Sequence, residues 1–131
     1  LACREAGVAC EVVPGVSAGL AAAAAAGAPV THRGVAQAVT FVTGHAAGEG
    51  AEPALDWVAL ARANQTVVVY MGLSTAGVVA ARLTEAGRAA GTPVLIVENA
   101  SRPEERRVPT TLGGLAEAAV ALEGPAVLII G

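Results

Sequence analysis

The residues best able to do chemistry in this chain lie in short polar or small-residue clusters, each beside a predicted strand. They are Pro14–Ala18, Thr31–Arg33, Thr43–His45, Tyr70–Leu73 and Glu98–Arg102. In open α/β sheets, ligands bind in the crevice outside the strand ends. We therefore expect the functional site among these five clusters.

Several common catalytic and binding motifs do not occur in the sequence. His32 and His45 are the only histidines, and no serine lies in a Gly-x-Ser-x-Gly elbow, which argues against hydrolase chemistry. Neither Gly-x-x-x-x-Gly-Lys nor Gly-x-Gly-x-x-Gly is present, so binding of a nucleoside triphosphate or a dinucleotide through these loops has no support. Cys3 and Cys10 have no histidine at metal-ligand spacing, which predicts reduced thiols and no metal site. No catalytic residue is assigned.

Composition narrows the class of protein further. The chain has 131 residues, 54% of them hydrophobic and only 2% aromatic, which predicts one domain with a core of small aliphatic side chains. All eight basic residues are arginines and the formal net charge is -3, so we expect no nucleic-acid partner. No apolar run approaches the roughly 20 residues of a membrane-spanning helix, so we expect a soluble protein, and the two reduced cysteines predict a cytoplasmic one. The start at Leu1, without an initiator Met or a signal-peptide pattern, predicts a fragment of a longer protein.

Apolar runs and turn residues predict alternating strands and helices. Strands are predicted over residues 8–13, 38–43, 66–70, 93–97, 106–108 and 126–130. Helices are predicted over residues 17–26, 56–61, 75–86 and 112–122, with Ser74 capping the third, and a Gly-rich loop over 44–53. This order predicts an α/β fold: a layered α/β/α sheet, mostly parallel, with an antiparallel edge hairpin at the arginine-rich segment.

Seven sequence strings together resemble a known family. They are VVPGVSA, AGAPVTHR, FVTGH, LDWVALA, TVVVYMGL, TPVLIVENASRP and PAVLIIG. In order and spacing they are similar to the C-terminal half of uroporphyrinogen-III C-methyltransferase, in the tetrapyrrole methylase superfamily with its class III methyltransferase fold. The similarity covers nearly the whole chain. The Pro-Gly-x-Ser string is shared across the superfamily, whereas THR, TGH and DWxxLA together point to the uroporphyrinogen enzymes.

The resemblance implies an activity and a cofactor. The activity is C-methylation of uroporphyrinogen III to precorrin-2, for cobalamin or sirohaem biosynthesis, with S-adenosyl-L-methionine as donor and S-adenosyl-L-homocysteine as product. It implies that residues 1–131 are the C-terminal domain of a homodimeric enzyme, whose N-terminal domain is missing from this chain and forms the other wall of the cleft. We expect this half alone to be inactive, because the transition state needs both walls.

The resemblance also implies which residues bind the cofactor. They are Ser17, Ala18, Met71, Ala100 and Ala126. Many relatives have glycine where this chain has Ala100. A backbone contact to the adenine tolerates the added methyl group, whereas packing of the adenine against the Cα does not.

The implied substrate carries eight carboxylates, which calls for arginines facing the cleft because guanidinium binds carboxylate in a bidentate manner. We expect the substrate to contact Thr31, His32, Arg33 and Arg102, with Arg106 and Arg107 as further candidates.

Simpler interpretations of the same residues stay open. Met71 could be a core residue, and Ser17 could act only as a helix cap. The residues 32–33 could form a solvated loop, and the residues 102–107 could be a hairpin whose charges neutralise one another. Two other functions are also compatible with the sequence: a precorrin methyltransferase acting on a different ring carbon, and a non-catalytic α/β binding or dimerisation module.

Overall fold

Five strands of the computed structural model, which describes residues 2–46 and 51–131, form one mixed sheet. In chain order they are β1 (Ala38–Thr43), β2 (Gln65–Tyr70), β3 (Pro93–Glu98), β4 (Arg106–Thr111) and β5 (Ala126–Ile130). Their spatial order is β1-β2-β5-β3-β4. β1 and β2 pair in parallel, whereas β5 is antiparallel to both β2 and β3, and β4 is antiparallel to β3.

The α/β class and the antiparallel edge hairpin are confirmed, but the predicted mostly parallel pairing is wrong. The apolar runs behind that prediction show only that a strand is covered on both faces, a condition that the antiparallel β5 also meets. β5 enters between β2 and β3 from the edge where those two strands end, so its direction is opposite to theirs. β4 includes Pro109, which an edge strand accommodates on its unpaired side.

Helices cover both faces of the sheet and form the expected three layers. They are α1 (Ala2–Glu5), α2 (Ala18–Ala26), α3 (Trp57–Leu60), α4 (Ala76–Glu85) and α5 (Leu115–Ala119). The predicted helix over 112–122 is shorter than expected, because residues 112–114 form a 3₁₀ turn that includes two glycines and leads into α5. α2 lies on one face, and α3, α4 and α5 lie on the other.

Successive side chains of β2 enter two separate cores, as the two-residue period of a strand requires. Val67 and Val69 pack in the larger core with Leu83 of α4. Val68 packs in the smaller core with Ala22 of α2. The poly-alanine helix α2 therefore contributes small side chains that allow it to lie close to the sheet.

The strand predicted over residues 8–13 does not form. The segment has no ladder partner within the described residues, and Val12 and Val13 are 91% and 79% exposed. A β-branched run favours extended backbone, but a strand needs a hydrogen-bonding neighbour. The segment is thus an apolar extended stretch that leads into α2.

The loops after β1 and β2 touch each other through two glycines. A Cβ on Gly44 would lie 2.6 Å from the Cα of Gly72, so a side chain at Gly44 would force the loops apart. Thr75 ties the same loops together, because its hydroxyl donates to the Gly44 carbonyl at 2.8 Å. Thr75, not Ser74, occupies the N-cap position of α4, so the predicted Ser74 cap is wrong. The rest of the predicted loop over 44–53 includes residues 47–50, which lie outside the described residues.

Within residues 2–46 and 51–131, no helix has the length and apolarity needed to cross a membrane. No group of three potential metal-ligating side chains occurs in the same part of the chain. Cys3 and Cys10 are free and exposed.

Candidate cofactor and substrate site

Strand directions bring four loops to one edge of the sheet. β1, β2 and β3 run the same way, and β5 runs the opposite way, so the carboxyl ends of the first three strands lie beside the amino end of β5. The loops that meet at this edge are residues 43–45, 71–73, 99–102 and 123–125. This edge is where a ligand site is expected in an α/β sheet.

A cavity of about 310 Å³ opens at this edge, and we call it the Ala100 cavity. Its lining includes four of the five predicted cofactor-binding residues, namely Ala18, Met71, Ala100 and Ala126. The fifth, Ser17, directly precedes α2 and bonds through its hydroxyl to the hydroxyl of Tyr70, which also lines the cavity. The structure thus brings these positions together from four separate parts of the chain.

The backbone of Ala100 is available to a ligand. Asn99, Ala100, Ser101 and Arg102 form a turn closed by the Arg102 N–H, which donates to the Asn99 carbonyl at 3.0 Å. Ser101 has φ 66°, the positive value that the third position of a type II turn requires. Neither the N–H nor the C=O of Ala100 has a hydrogen-bond partner within residues 2–46 and 51–131. An adenine edge needs such donor and acceptor groups.

Met71 combines an unusual backbone conformation with high exposure, neither of which is typical of a core residue. Its φ is 52°, in the left-handed region that non-glycine residues rarely adopt, and its side chain is 61% exposed. Asn99, on the opposite side of the Ala100 cavity, has φ 51°. Backbone strain of this kind clusters at functional sites. The exposure of Met71 is contrary to the alternative that it fills the core.

Glu98 fixes the loop that closes the Ala100 cavity. Its carboxylate is buried and accepts from the Gly124 and Glu123 N–H groups at 2.7 and 2.9 Å. The bond from Gly124 is the largest cause of a lowered pKa at Glu98; the Glu123 N–H and the Arg106 guanidinium also lower it, against the opposing effect of burial. The Asn99 N–H donates to the Pro125 carbonyl at 2.9 Å, which adds a second tie to the same loop.

A second cavity of about 580 Å³ adjoins the first, and we call it the His45 cavity. The two share Met71, Pro125 and Ala126, so these three residues form the ridge between them. Its remaining lining is mostly apolar, with polar groups contributed by His45, Ser74 and Glu123.

The predicted substrate arginines differ in how strongly they are paired. Arg107 bonds Glu105 at 2.6 Å, and Arg106 bonds the Ala121 carbonyl at 3.1 Å and lies 3.4 Å from the Glu98 carboxylate. These two fit the alternative of a self-neutralising hairpin. Arg102 lines the Ala100 cavity, is 63% exposed and lies 3.9 Å from its nearest carboxylate, so its guanidinium is the most available of the three.

The other three predicted substrate residues lie elsewhere. Thr31, His32 and Arg33 line a separate open cavity of about 360 Å³, which shares no lining residue with the Ala100 cavity. This turn precedes β1, so it lies at the opposite edge of the sheet, about 20 Å away by the rise of a six-residue strand. The structure therefore does not bring these residues together with Arg102.

Comparison with known proteins decides the family. The model of the tetrapyrrole (corrin/porphyrin) methylases matches residues 1–116. The chain belongs to the tetrapyrrole methylase family. The family predicted from the sequence strings is thereby confirmed.

Curated relatives of this tetrapyrrole methylase include several sirohaem synthases. The chain is 48% identical over 129 residues to the siroheme synthase of Chromobacterium violaceum, covering 97% of this chain and 27% of that protein. It is 46% identical over 125 residues to siroheme synthase 1 of Aeromonas salmonicida, covering 95% of this chain and 26% of that protein. The chain thus spans about a quarter of the length of these relatives.

Solved methyltransferases share the fold over nearly the whole chain. A uroporphyrin-III C-methyltransferase from Thermus thermophilus, complexed with S-adenosylhomocysteine, is 41% identical with a TM-score of 0.82, covering 98% of this chain and 55% of that one. A cobalt precorrin-4 methyltransferase is 30% identical with a TM-score of 0.83, covering 98% of this chain and 54% of that one.

Two residues of the candidate site, Glu98 and Tyr70, lie in the predicted clusters, but no role was predicted for them from the sequence. Glu98 ends an apolar strand, where an acidic residue is usually solvated, and only the fold shows that two backbone N–H groups face it. Tyr70 precedes Met71 and is the only tyrosine in the chain. That signal was available, because a lone tyrosine at a strand end is a candidate for a specific hydrogen bond.

We predict that Glu98→Gln lowers the melting temperature at pH 7 and flattens its dependence on pH. The lowered folded-state pKa means that the ionised carboxylate stabilises the fold fully above the ordinary glutamate pKa of about 4.3. This contribution is lost as the pH falls through the lowered pKa. The melting temperatures of wild type and Glu98→Gln, measured between pH 7 and pH 3, should therefore become more similar as the pH falls.

Glu104→Gln is the matched control, since Glu104 is 57% exposed and lies 3.9 Å from Arg102. It should melt like the wild type at every pH. Equal melting temperatures for Glu98→Gln and Glu104→Gln at pH 7 would contradict the assigned role of Glu98.

Proposed function

We propose that this chain supplies one wall of the cofactor and substrate cleft of an S-adenosylmethionine-dependent methyltransferase that converts uroporphyrinogen III to precorrin-2. The observation that carries the proposal is the convergence of Ala18, Met71, Ala100 and Ala126 on one cavity. The T. thermophilus relative, 41% identical, is a uroporphyrin-III C-methyltransferase complexed with S-adenosylhomocysteine. The Ala100 cavity is proposed to hold the adenosine part.

The residues of the Ala100 cavity fit an adenosine. Adenine is flat and uncharged, so it needs an apolar slot of small residues with a few backbone hydrogen-bonding groups. Ala18, Ala100 and Ala126 keep the slot open, and the Met71 side chain offers a polarizable thioether on one wall. The N–H and C=O of Ala100, which have no partner in the described part of the chain, can bond the adenine edge; in that case the methyl group of Ala100 is tolerated.

The proposed reaction demands positioning more than acid–base chemistry from this wall. S-adenosylmethionine, when bound, supplies an electrophilic methyl group on a sulfonium. Residues of this chain would hold the nucleoside end, keep the methyl group in line with the attacking carbon and exclude water. The loop at residues 123–125 suits this role, because Glu98 and Asn99 hold its backbone in place by three hydrogen bonds.

Substrate binding is proposed to rest first on Arg102. It lines the Ala100 cavity and is only weakly paired, 3.9 Å from the Glu104 carboxylate, and so can bind a carboxylate of the tetrapyrrole. Thr31, His32 and Arg33 stay in the proposal only as contacts to a distant part of the substrate, since their turn lies at the other edge of the sheet.

The second wall is proposed to come from an N-terminal domain, with residues 1–131 as the C-terminal domain. Two observations support this. The chain spans only about half of the solved methyltransferase chains. The extended stretch over residues 8–16 carries exposed valines of the kind that a neighbouring strand would cover. A homodimer and a cytoplasmic location are also part of the proposal, and both rest on the family resemblance.

A precorrin methyltransferase acting on another ring carbon is the second candidate. It is supported by the TM-score of 0.83 with the cobalt precorrin-4 methyltransferase. The identity of 30% to that enzyme, against 41% to the uroporphyrin-III enzyme, favours the first candidate.

The first test is calorimetric titration of S-adenosylhomocysteine into the extended protein, by which we mean this chain continued to the length of its solved methyltransferase relatives. We predict that Met71→Ala weakens binding about threefold to tenfold, because it removes part of an apolar wall. The 131-residue chain itself should bind more weakly than the extended protein.

Val58→Ala is the matched control, since Val58 is 69% exposed on α3 and lines neither cavity. It should bind like the wild type. Absence of binding by the extended protein would remove the methyltransferase proposal and leave a non-catalytic α/β binding module.

We predict that Arg102→Ala raises the KM for uroporphyrinogen III about threefold to tenfold in the extended protein, the loss expected for one charge-assisted bond at the rim of a cleft. Arg107→Ala should change it less than about twofold, because Glu105 already pairs with Arg107. Steady-state kinetics with Arg33→Ala decide whether the distant turn takes part. Equal KM values for the Arg102 and Arg107 variants would contradict the assignment of Arg102.

A further inference from the structure

Tyr70 connects two of the four parts of the chain that line the Ala100 cavity, the end of β2 and the start of α2. Its ring lines the cavity and stacks on Phe41 of β1, with ring centroids 6.1 Å apart and 16° between the ring planes. Its hydroxyl lies at the start of α2, where it accepts from the Gly19 N–H at 2.9 Å and bonds the Ser17 hydroxyl. This side chain, at the end of β2, therefore contacts both β1 and the start of α2.

The Tyr70 hydroxyl takes the place of an ordinary helix cap. Ser17 occupies the N-cap position of α2, yet its side chain makes no capping bond to the helix. In most helices such a serine accepts from the second or third N–H of the first turn. Here the second N–H, that of Gly19, donates to Tyr70. The Ser17 hydroxyl therefore makes no capping bond, and it is hydrogen-bonded instead to the Tyr70 hydroxyl next to the cavity.

The packing around Gly19 shows how close this contact is. A Cβ on Gly19 would lie 2.7 Å from the Tyr70 hydroxyl oxygen and 2.9 Å from a ring carbon of Phe41. Only a glycine at this place lets α2 approach the two rings. The start of α2, with Ser17 and Ala18, is thus set by the position of the Tyr70 hydroxyl.

We propose that Tyr70 is a positioning residue of the cofactor site, whose hydroxyl sets the place of Ser17 and Ala18 for binding of the nucleoside. This inference rests on the proposed cofactor site. Without the hydroxyl, Ser17 is free to turn toward the first turn of α2 and cap it, which moves the Ser17 hydroxyl away from the cavity. The ring of Tyr70→Phe still stacks on Phe41, so the sheet keeps its packing.

The test is titration of S-adenosylhomocysteine into the extended protein, with steady-state kinetics for S-adenosylmethionine. Tyr70→Phe should raise the dissociation constant and the KM about threefold to tenfold, with kcat within about twofold, as expected for the loss of one or two hydrogen bonds that act on binding. Thr84→Ala is the control, because it deletes a hydroxyl that bonds the Ala80 carbonyl on α4 and lines neither cavity.

A second variant, Ser17→Ala, tests whether Tyr70 acts through Ser17. If it does, the double variant Tyr70→Phe/Ser17→Ala has a dissociation constant no higher than that of the single variant with the higher value. Additive losses would overturn the inference, and so would unchanged affinity in Tyr70→Phe or an equal loss in Thr84→Ala. Failure of the wild-type extended protein to bind would overturn the cofactor proposal as well, whereas binding that Tyr70→Phe leaves unchanged overturns the inference alone.

Discussion

The antiparallel insertion of β5 between β2 and β3 is the constraint on which the site depends. β5 is hydrogen-bonded on both sides, so its amino end is fixed between the carboxyl ends of its two neighbours. The loop over residues 123–125 must then lie between the turn after β2 and the turn after β3. Glu98 and Asn99 complete this arrangement by bonding the backbone of the same loop. The ridge shared by the two cavities follows directly from this placement.

Small residues allow the remaining elements to approach this edge closely. Gly19 brings the start of α2 against Tyr70, and Gly44 brings the loop after β1 against Gly72. In a chain with almost no aromatic residues, close approach of backbones replaces the large side chains that would otherwise fill the space. The same closeness leaves a narrow slot lined by alanines, which suits a flat ligand more than a branched one.

Strands and helices could be predicted from the sequence where an apolar run ends at a clear turn residue. The bounds predicted for 38–43 and 126–130 match β1 and β5. Pairing direction could not be predicted, because it depends on where β5 enters the sheet. Residues 8–13 do not form a strand, because no other strand pairs with them within the described residues. The cofactor positions were predicted from family strings and lie together, whereas Thr31–Arg33 lies apart from them because α2 carries the chain to the other edge.

We propose that the Ala100 cavity holds the adenosine part of the cofactor. A crystal structure of the extended protein with S-adenosylhomocysteine tests it most directly. The adenine should lie between Met71 and the turn at Asn99–Arg102, with a hydrogen bond to the N–H or C=O of Ala100. An adenine bound outside this cavity, with no hydrogen bond to the Ala100 backbone, would contradict the proposed site.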